Sequence, residues 1–331
     1  MDILNPYYLQ VVTFIFINAI LGISIYITLS TGQLSLGNAG FMSVGAYTSA
    51  LLTLKLGFPM VGAIFAGGVV AAAVALIIGL PTTRLQGLYL AIATLGFGEV
   101  VRVVALNMTI TNGALGLTGI PSMGLALGNF ADAIGLIDLM DADVQQGGQI
   151  IMVLVLLVVL IVLTTVWLLL ENSRIGRAFK AIKADEHAAE LSGIHTVYYK
   201  MLAFVIGSFV AGAAGGLYAH ATFFINPTDF SYHKVVDILL YVVFGGSNVI
   251  WGPILGASIL TILPEALRFM ADYRELIYGA MLIVMMAFRP DGILTVGLVD
   301  RIQKIFFAKK RKKIKKVQEV RSDAVTNDKC K

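Results

Sequence analysis

Few side chains in this 331-residue chain are of types that could do chemistry. The four histidines, His187, His195, His220 and His233, are not spaced as metal ligands. A single cysteine, Cys330, provides neither a disulfide framework nor a thiolate cluster. No Gly-Lys dipeptide occurs, so there is no phosphate-binding P-loop, and neither a H-E-x-x-H zinc motif nor a G-x-S-x-G nucleophile elbow is present. These absences argue against an enzyme and against a cofactor or metal held by this chain. What remains is a set of polar residues inside apolar sequence. Gln33, Ser35 and Asn38 lie in one Gly-rich stretch, and Asp237, Ser247 and Asn248 lie in or beside another. Glu99 and Arg102, three apart on one helix, are expected to pair with each other.

One polar segment stands apart, ENSRIGRAFKAIKADEHAAELSGIHTVYYK at 171–200. Asp185 suits a helix N-cap, Glu186 follows where the helix dipole favours an acid, and Gly193 suits a C-terminal stop. The implied helix, about 186–192, is too short to hold itself together in water and needs a surface to dock on. Ala188 and Ala189 leave its face shallow enough to fit a groove on a partner. A surface helix that merely ties two spans together fits the same spacing.

The elements that position these residues follow from composition. With Gly counted in place of Tyr, roughly 65% of the chain is apolar, against about 45–50% in soluble domains. Charged residues make up only 13%. The solvent for most of such a chain is lipid. A span needs roughly 20 mainly apolar residues. The segments 9–29, 33–54, 60–80, 88–106, 150–170, 201–222, 235–250, 251–268 and 276–289 qualify, which predicts an all-α polytopic bundle of about nine or ten spans. The Gly-rich pieces near 33–54 and 235–258 are expected to be broken or re-entrant, where unwound backbone could line a cavity. Polar groups at that depth are costly and usually face a bundle interior or a water-filled path. Gln33, Ser35, Asn38, Asp237, Ser247 and Asn248 are the path candidates.

Domain limits and orientation follow from the charges. The span-bearing domain covers 1–300, and 301–331 is a basic tail with nine Lys or Arg between 301 and 316 and no acid among them. Outside 301–316 the chain holds 15 basic against 20 acidic residues, so the net +4 comes from that basic stretch. A basic tail beside a membrane suits anionic lipid better than nucleic acid. The N-terminus lacks the basic region of a signal peptide, so the first run is expected to be a retained span. Lys and Arg collect in 171–200 and in the tail, which places both in the cytosol. The 107–147 connection has Asp132, Asp138, Asp141 and Asp143 with no Lys or Arg, which places it outside. Two spans carry small residues every fourth position, Ala63, Gly67, Ala71, Ala75 and Gly79 in one and Gly207, Ala211, Gly215 and Ala219 in the other. Such ridges let helix backbones approach in lipid, within one bundle or across a dimer face.

Five blocks in one order carry a resemblance: STGQLSLGNAGFMSVGAY, RLQGLYLAIATLGFGEVVR, TNGALGLTGIP, GRAFKAIKADEHAAELSGIHTVYYKMLAFVIGSFVAGAAGGLYA and VFGGSNVIWGPILGASIL. Together they resemble the M-type permease family of branched-chain amino acid (leucine/isoleucine/valine) ABC importers, over most of the chain. The fourth block resembles the E-A-A…G signature of ABC importer permeases, with His187 standing between Glu186 and the two alanines. The resemblance implies a permease subunit of the bacterial inner membrane, with no ATP or Mg site of its own. A sister permease, two cytosolic ATPase subunits and an extracytoplasmic solute-binding protein would complete the importer. Its ATPase-coupling residues would be Arg177, Lys183, Asp185, Glu186, Ala188, Ala189 and Gly193, although Arg177 and Lys183 equally suit positive-inside anchors. An ion-coupled secondary transporter or channel is the alternative, for which Glu99 and Asp237 could serve.

Overall fold

The computed structural model describes residues 6–82, 84–85, 87–133 and 144–266, with isolated positions between 273 and 294. The basic tail, Asp138, Asp141, Asp143 and most of the expected ninth span lie outside the described residues. The described chain is an all-α bundle with one two-residue β pair. Its helices are α1 (Pro6–Leu29), α2 (Asn38–Leu56), α3 (Met60–Thr82), α4 (Leu88–Asn107), α5 (Met123–Ala133), α6 (Val144–Asn172), α7 (Arg174–Ala184), α8 (Glu186–Leu191), α9 (Thr196–Thr222), α10 (Tyr232–Gly245) and α11 (Trp251–Ala266). Strand β1 (Leu117–Thr118) pairs antiparallel with β2 (Phe224–Ile225).

Five helices, α1, α3, α4, α6 and α9, are long and apolar enough to cross a membrane. The shorter α2, α10 and α11 pack among them. At about 1.5 Å per residue α10 is about 21 Å long, short of a hydrocarbon core of roughly 30 Å. Both expected interruptions are present. In the first, α1 ends at Leu29, the following turn carries a left-handed Gly32, and 33–37 is non-helical, so α2 begins at Asn38 rather than near 33. Side chains replace the lost helical partners there: Leu36 N donates to Thr94 Oγ1 (2.9 Å) and Gly37 N to Ser35 Oγ (3.4 Å). In the second, α10 stops at Gly245, followed by Gly246 at φ +121°. The last carbonyls of α10 are satisfied from far along the chain, Phe244 O by Ile293 N (3.1 Å) and Gly245 O by Leu294 N (3.0 Å).

The centre of the bundle is knitted by the small-residue ridges. All five ridge residues of α3 and all four of α9 are buried, and they meet each other and α2. A Cβ on Gly67 would lie 2.6 Å from Gly45 O, and one on Gly212 would lie 3.0 Å from Gly67 O and collide with Ala71. Both ridges therefore pack within one chain. The outer faces of α3, α4 and α6 expose large apolar residues such as Val61, Ile77, Ile92 and Leu169, as lipid-facing surfaces do.

Long-range contacts define two ends of the bundle. At one end α7 and α8 form a polar knob, which Gly32 and Asn248 both approach. At the other end lie the β pair and the buried ring of His220, linked to Pro121 O (2.9 Å) and Ser49 Oγ (3.0 Å). Helix α5 folds back on the start of α6 through Gly128 and Gly148. This helix pair falls in and beyond the 107–147 stretch that the sequence suggests only as an outer connection. It also carries α6 back to Val144, well before 150.

Candidate functional site

The knob is assembled from caps. Ser173 Oγ accepts from Ile175 N (3.1 Å) and Gly176 N (3.5 Å), starting α7, which buries Ala178, Phe179 and Ile182. Asp185 closes α7 and caps α8, its Oδ1 accepting from Ala188 N (3.0 Å). At the far end of α8, Gly193 adopts φ +82°, a conformation that disfavours any side chain. Gly193 N donates to Glu190 O (2.9 Å) and Ile194 N to Ala189 O (3.1 Å), the paired bonds of a Schellman stop. Two side-chain ties fix the six-residue helix to α9: the Glu186–Lys200 ion pair, in which Lys200 is buried, and Thr196 Oγ1 to Glu190 Oε1 (2.7 Å). Short as it is, α8 is rigidly placed.

Its faces are unequal. Ala188 is exposed, whereas Ala189 is buried at 4% exposure against the protein itself. Only Ala188 is open to a partner, so the expectation that both alanines form the shallow face is corrected: a helix of under two turns gives no period from which its inner side can be read. Leu191 beside it is 91% exposed, and Val197 and Tyr198 continue the apolar surface. A cavity of about 650 Å³ runs alongside, lined by Leu80, Gly193, Ile194, Val197, Tyr198 and Met201 among others. An unusually exposed leucine on a capped helix thus stands beside an apolar groove at the tip of the knob.

The knob is joined to both interrupted segments. Lys183 Nζ donates to Asn248 Oδ1 (3.0 Å), and a Cβ on Gly32 would lie 3.6 Å from Lys183 Cα. Partial burial holds the Lys183 ammonium below the ordinary lysine pKa, with Glu171 pulling it partly back. Arg177 reaches Asn172 O (3.3 Å), and Lys180 pairs with Glu171 (2.9 Å). Two predicted groups thus converge, because Lys183 of the coupling candidates touches Asn248 of the path candidates.

The remaining path candidates divide. Gln33, Ser35 and Asn38 are all buried between α1, α2 and α4. Asn38 Nδ2 donates to Ser24 Oγ (2.7 Å), and Gln33 Oε1 accepts from Thr31 Oγ1 (3.3 Å) while its Nε2 has no partner among the described residues. Ser247 is half-buried in the turn before Asn248. Asp237 is apart from this group, in the second turn of α10, where it lines a cavity with Asn18, Lys234 and Thr261. Glu99 and Arg102 pair on α4 as expected, through Nε to Oε1 at 2.8 Å.

The description "Branched-chain amino acid transport system / permease component" matches residues 7–286. This chain belongs to that family. The permease protein LivM of the high-affinity branched-chain amino acid transport system of Escherichia coli (strain K12) is 35% identical over 290 residues, covering 85% of this chain and 68% of its own. LivM of Salmonella typhimurium is 34% identical over the same shares. LivH of E. coli is 33% identical over 138 residues, 41% of this chain and 44% of its own, so the likeness extends to a second permease of that system. No solved structure matches. The family is a transport component rather than an enzyme, in keeping with a bundle whose polar groups line and tie helices.

Sequence reasoning missed several members of this permease's polar framework. Thr94, fully buried, holds the first interruption, and Lys200 anchors Glu186. Asn18 bridges α10 and α11, accepting from Lys234 Nζ (3.1 Å) and donating to Thr261 Oγ1 (3.0 Å). The available signal was a lone asparagine in the middle of a 24-residue apolar helix.

Proposed function

We propose that this chain is the membrane-spanning permease subunit of an ABC importer that carries branched-chain or related amino acids into the cytosol. ATP is hydrolysed by two partner ATPase subunits, a sister permease completes the membrane path, and an extracytoplasmic binding protein delivers the cargo. The observation that carries this reading is the knob: α8 is capped at both ends, tied to α9, and presents Ala188 and Leu191 outward. A rigid, apolar-tipped projection transmits force without bending.

The cytosolic side is supported by Arg174, Arg177, Lys180 and Lys183 on the knob. ATPase closure would push α8, and Glu186–Lys200 would pass that displacement to α9. Lys183–Asn248 would pass it to the α10–α11 turn and the neighbouring 33–37 segment. The helix-interrupted segments would therefore change shape together, opening the path alternately to each side. The path is assigned to the polar backbone around Gln33, Ser35, Asn38, Ser247 and Asn248.

Reconstitution tests the reading. Proteoliposomes holding this chain with its ATPases, sister permease and binding protein should accumulate labelled leucine when ATP is supplied on the ATPase side. Uptake driven by a proton or sodium gradient in liposomes holding this chain alone would overturn it in favour of an ion-coupled carrier.

A further inference from the structure

A cavity of about 350 Å³ lies between α1, α9, α10 and α11, outside the interrupted segments. Ligand pockets run from roughly 300 to 1,000 Å³, so a small metabolite fits. Its depth is set by Asn18, halfway along α1 and about 18 Å from Pro6 at 1.5 Å per residue. Charges of both signs meet there. Lys234 and Asp237 come from the first turns of α10, and Glu265 from the last turn of α11.

The bonding is incomplete in a particular way. Lys234 Nζ donates to Asn18 Oδ1 (3.1 Å), which uses one of the three donors of an ammonium. Asn18 is itself held by Thr261, so the lysine is aimed rather than loose. Among the described residues, neither Asp237 nor Glu265 accepts a hydrogen bond or lies within ion-pair distance of a cation, and Asp237 feels Lys234 and His233 only through space. Charged groups inside a bundle normally pair with one another. Here a cation with spare donors and two carboxylates line a space, and Phe14, Leu240 and Leu260 supply an apolar wall.

From this geometry we infer that the cavity is a zwitterion-binding pocket within the single permease subunit, which holds an apolar amino acid between the binding protein and the interrupted segments. Lys234 takes the α-carboxylate, Asp237 and Glu265 take the α-ammonium, and the apolar wall takes the side chain. A ligand of both charges completes bonds that the described residues leave open, whereas a singly charged analogue leaves one pole unmatched. The inference rests on the amino-acid importer reading and adds a discrete site to it.

The test uses the assembled importer with Leu240→Cys in a Cys330→Ser background, labelled by a small methanethiosulfonate reagent. L-Leucine should slow labelling at least fivefold, and leucinamide or 4-methylpentanoate less than twofold. In Lys234→Met or Asp237→Asn backgrounds that protection should vanish, with ATPase binding to the complex unchanged. Labelling that L-leucine leaves unaltered, equal protection by all three compounds, or a cysteine that never reacts would overturn the pocket. Failure of the importer reading would instead appear as no ATP-dependent leucine uptake by the unmodified assembly.

Discussion

The glycine-knitted centre and the polar knob are held by opposite means. Where α2, α3 and α9 meet, Gly45, Gly67 and Gly212 bring backbone against backbone, and Phe209, Met201 and Phe204 of α9 close on Gly68 and Gly79 of α3. Lipid offers no hydrophobic drive for helices to associate, so close approach and dispersion must supply it. The knob lies beyond the apolar spans, where α8 is too short to be stable alone. Caps at Ser173 and Asp185, the Gly193 stop and the Lys200 ion pair hold it instead. The centre uses shape to be immobile, and the knob uses directional bonds to be stiff yet exposed. The contrast places stability in one region, and the proposed function assigns force transmission to the other.

Substitutions that separate these two regions should differ in kind as well as in size. The largest effect belongs to Gly212→Leu. Its side chain has no space between Ala71 and Gly67, so the folded chain should be lost from the membrane, read as the disappearance of the monodisperse peak in detergent chromatography. Next is Gly193→Pro, which demands a φ near −65° where the chain has +82° and removes the bond to Glu190 O. Insertion and the chromatographic peak should persist while leucine uptake falls at least tenfold. If that variant failed to fold, the knob would belong to the stability core after all.

A charge on α8 sharpens the comparison further. Ala188→Glu should keep the fold and weaken ATPase capture, measured by copurification. Ala189→Glu should lower thermal stability first, because its side chain points inward. Equal behaviour of the two would mean that α8 is rotated from the orientation described. The smallest effect is expected from Thr196→Val, which removes one hydrogen bond to Glu190, a loss of about 1 kcal/mol. Thermal unfolding should shift by a few degrees at most, with uptake within twofold.

The sequence showed most where chemistry repeats or is local. Fourfold spacing of Gly and Ala marked the ridges, and Asp185 and Gly193 marked both ends of α8 within a residue. Both helix interruptions were legible as runs of Gly, Ser and Asn. What escaped depends on partners far along the chain. Lys183 and Asn248 are 65 residues apart, and Asn18 is 216 from Lys234 and 243 from Thr261. No periodicity links such positions. Helix α5 was missed because its turns are stabilised by packing on α6 rather than by an apolar run of spanning length.

The central claim is that energy reaches the bundle through α8 from a cytosolic ATPase. A benzophenone attached to Leu191→Cys, in the Cys330→Ser background, tests it in intact membranes. Irradiation should join this permease to the ATPase subunit, with a yield that changes when ATP is added. Crosslinking to an extracytoplasmic protein, or reaction of Leu191→Cys with an impermeant reagent from the outer side, would contradict the account.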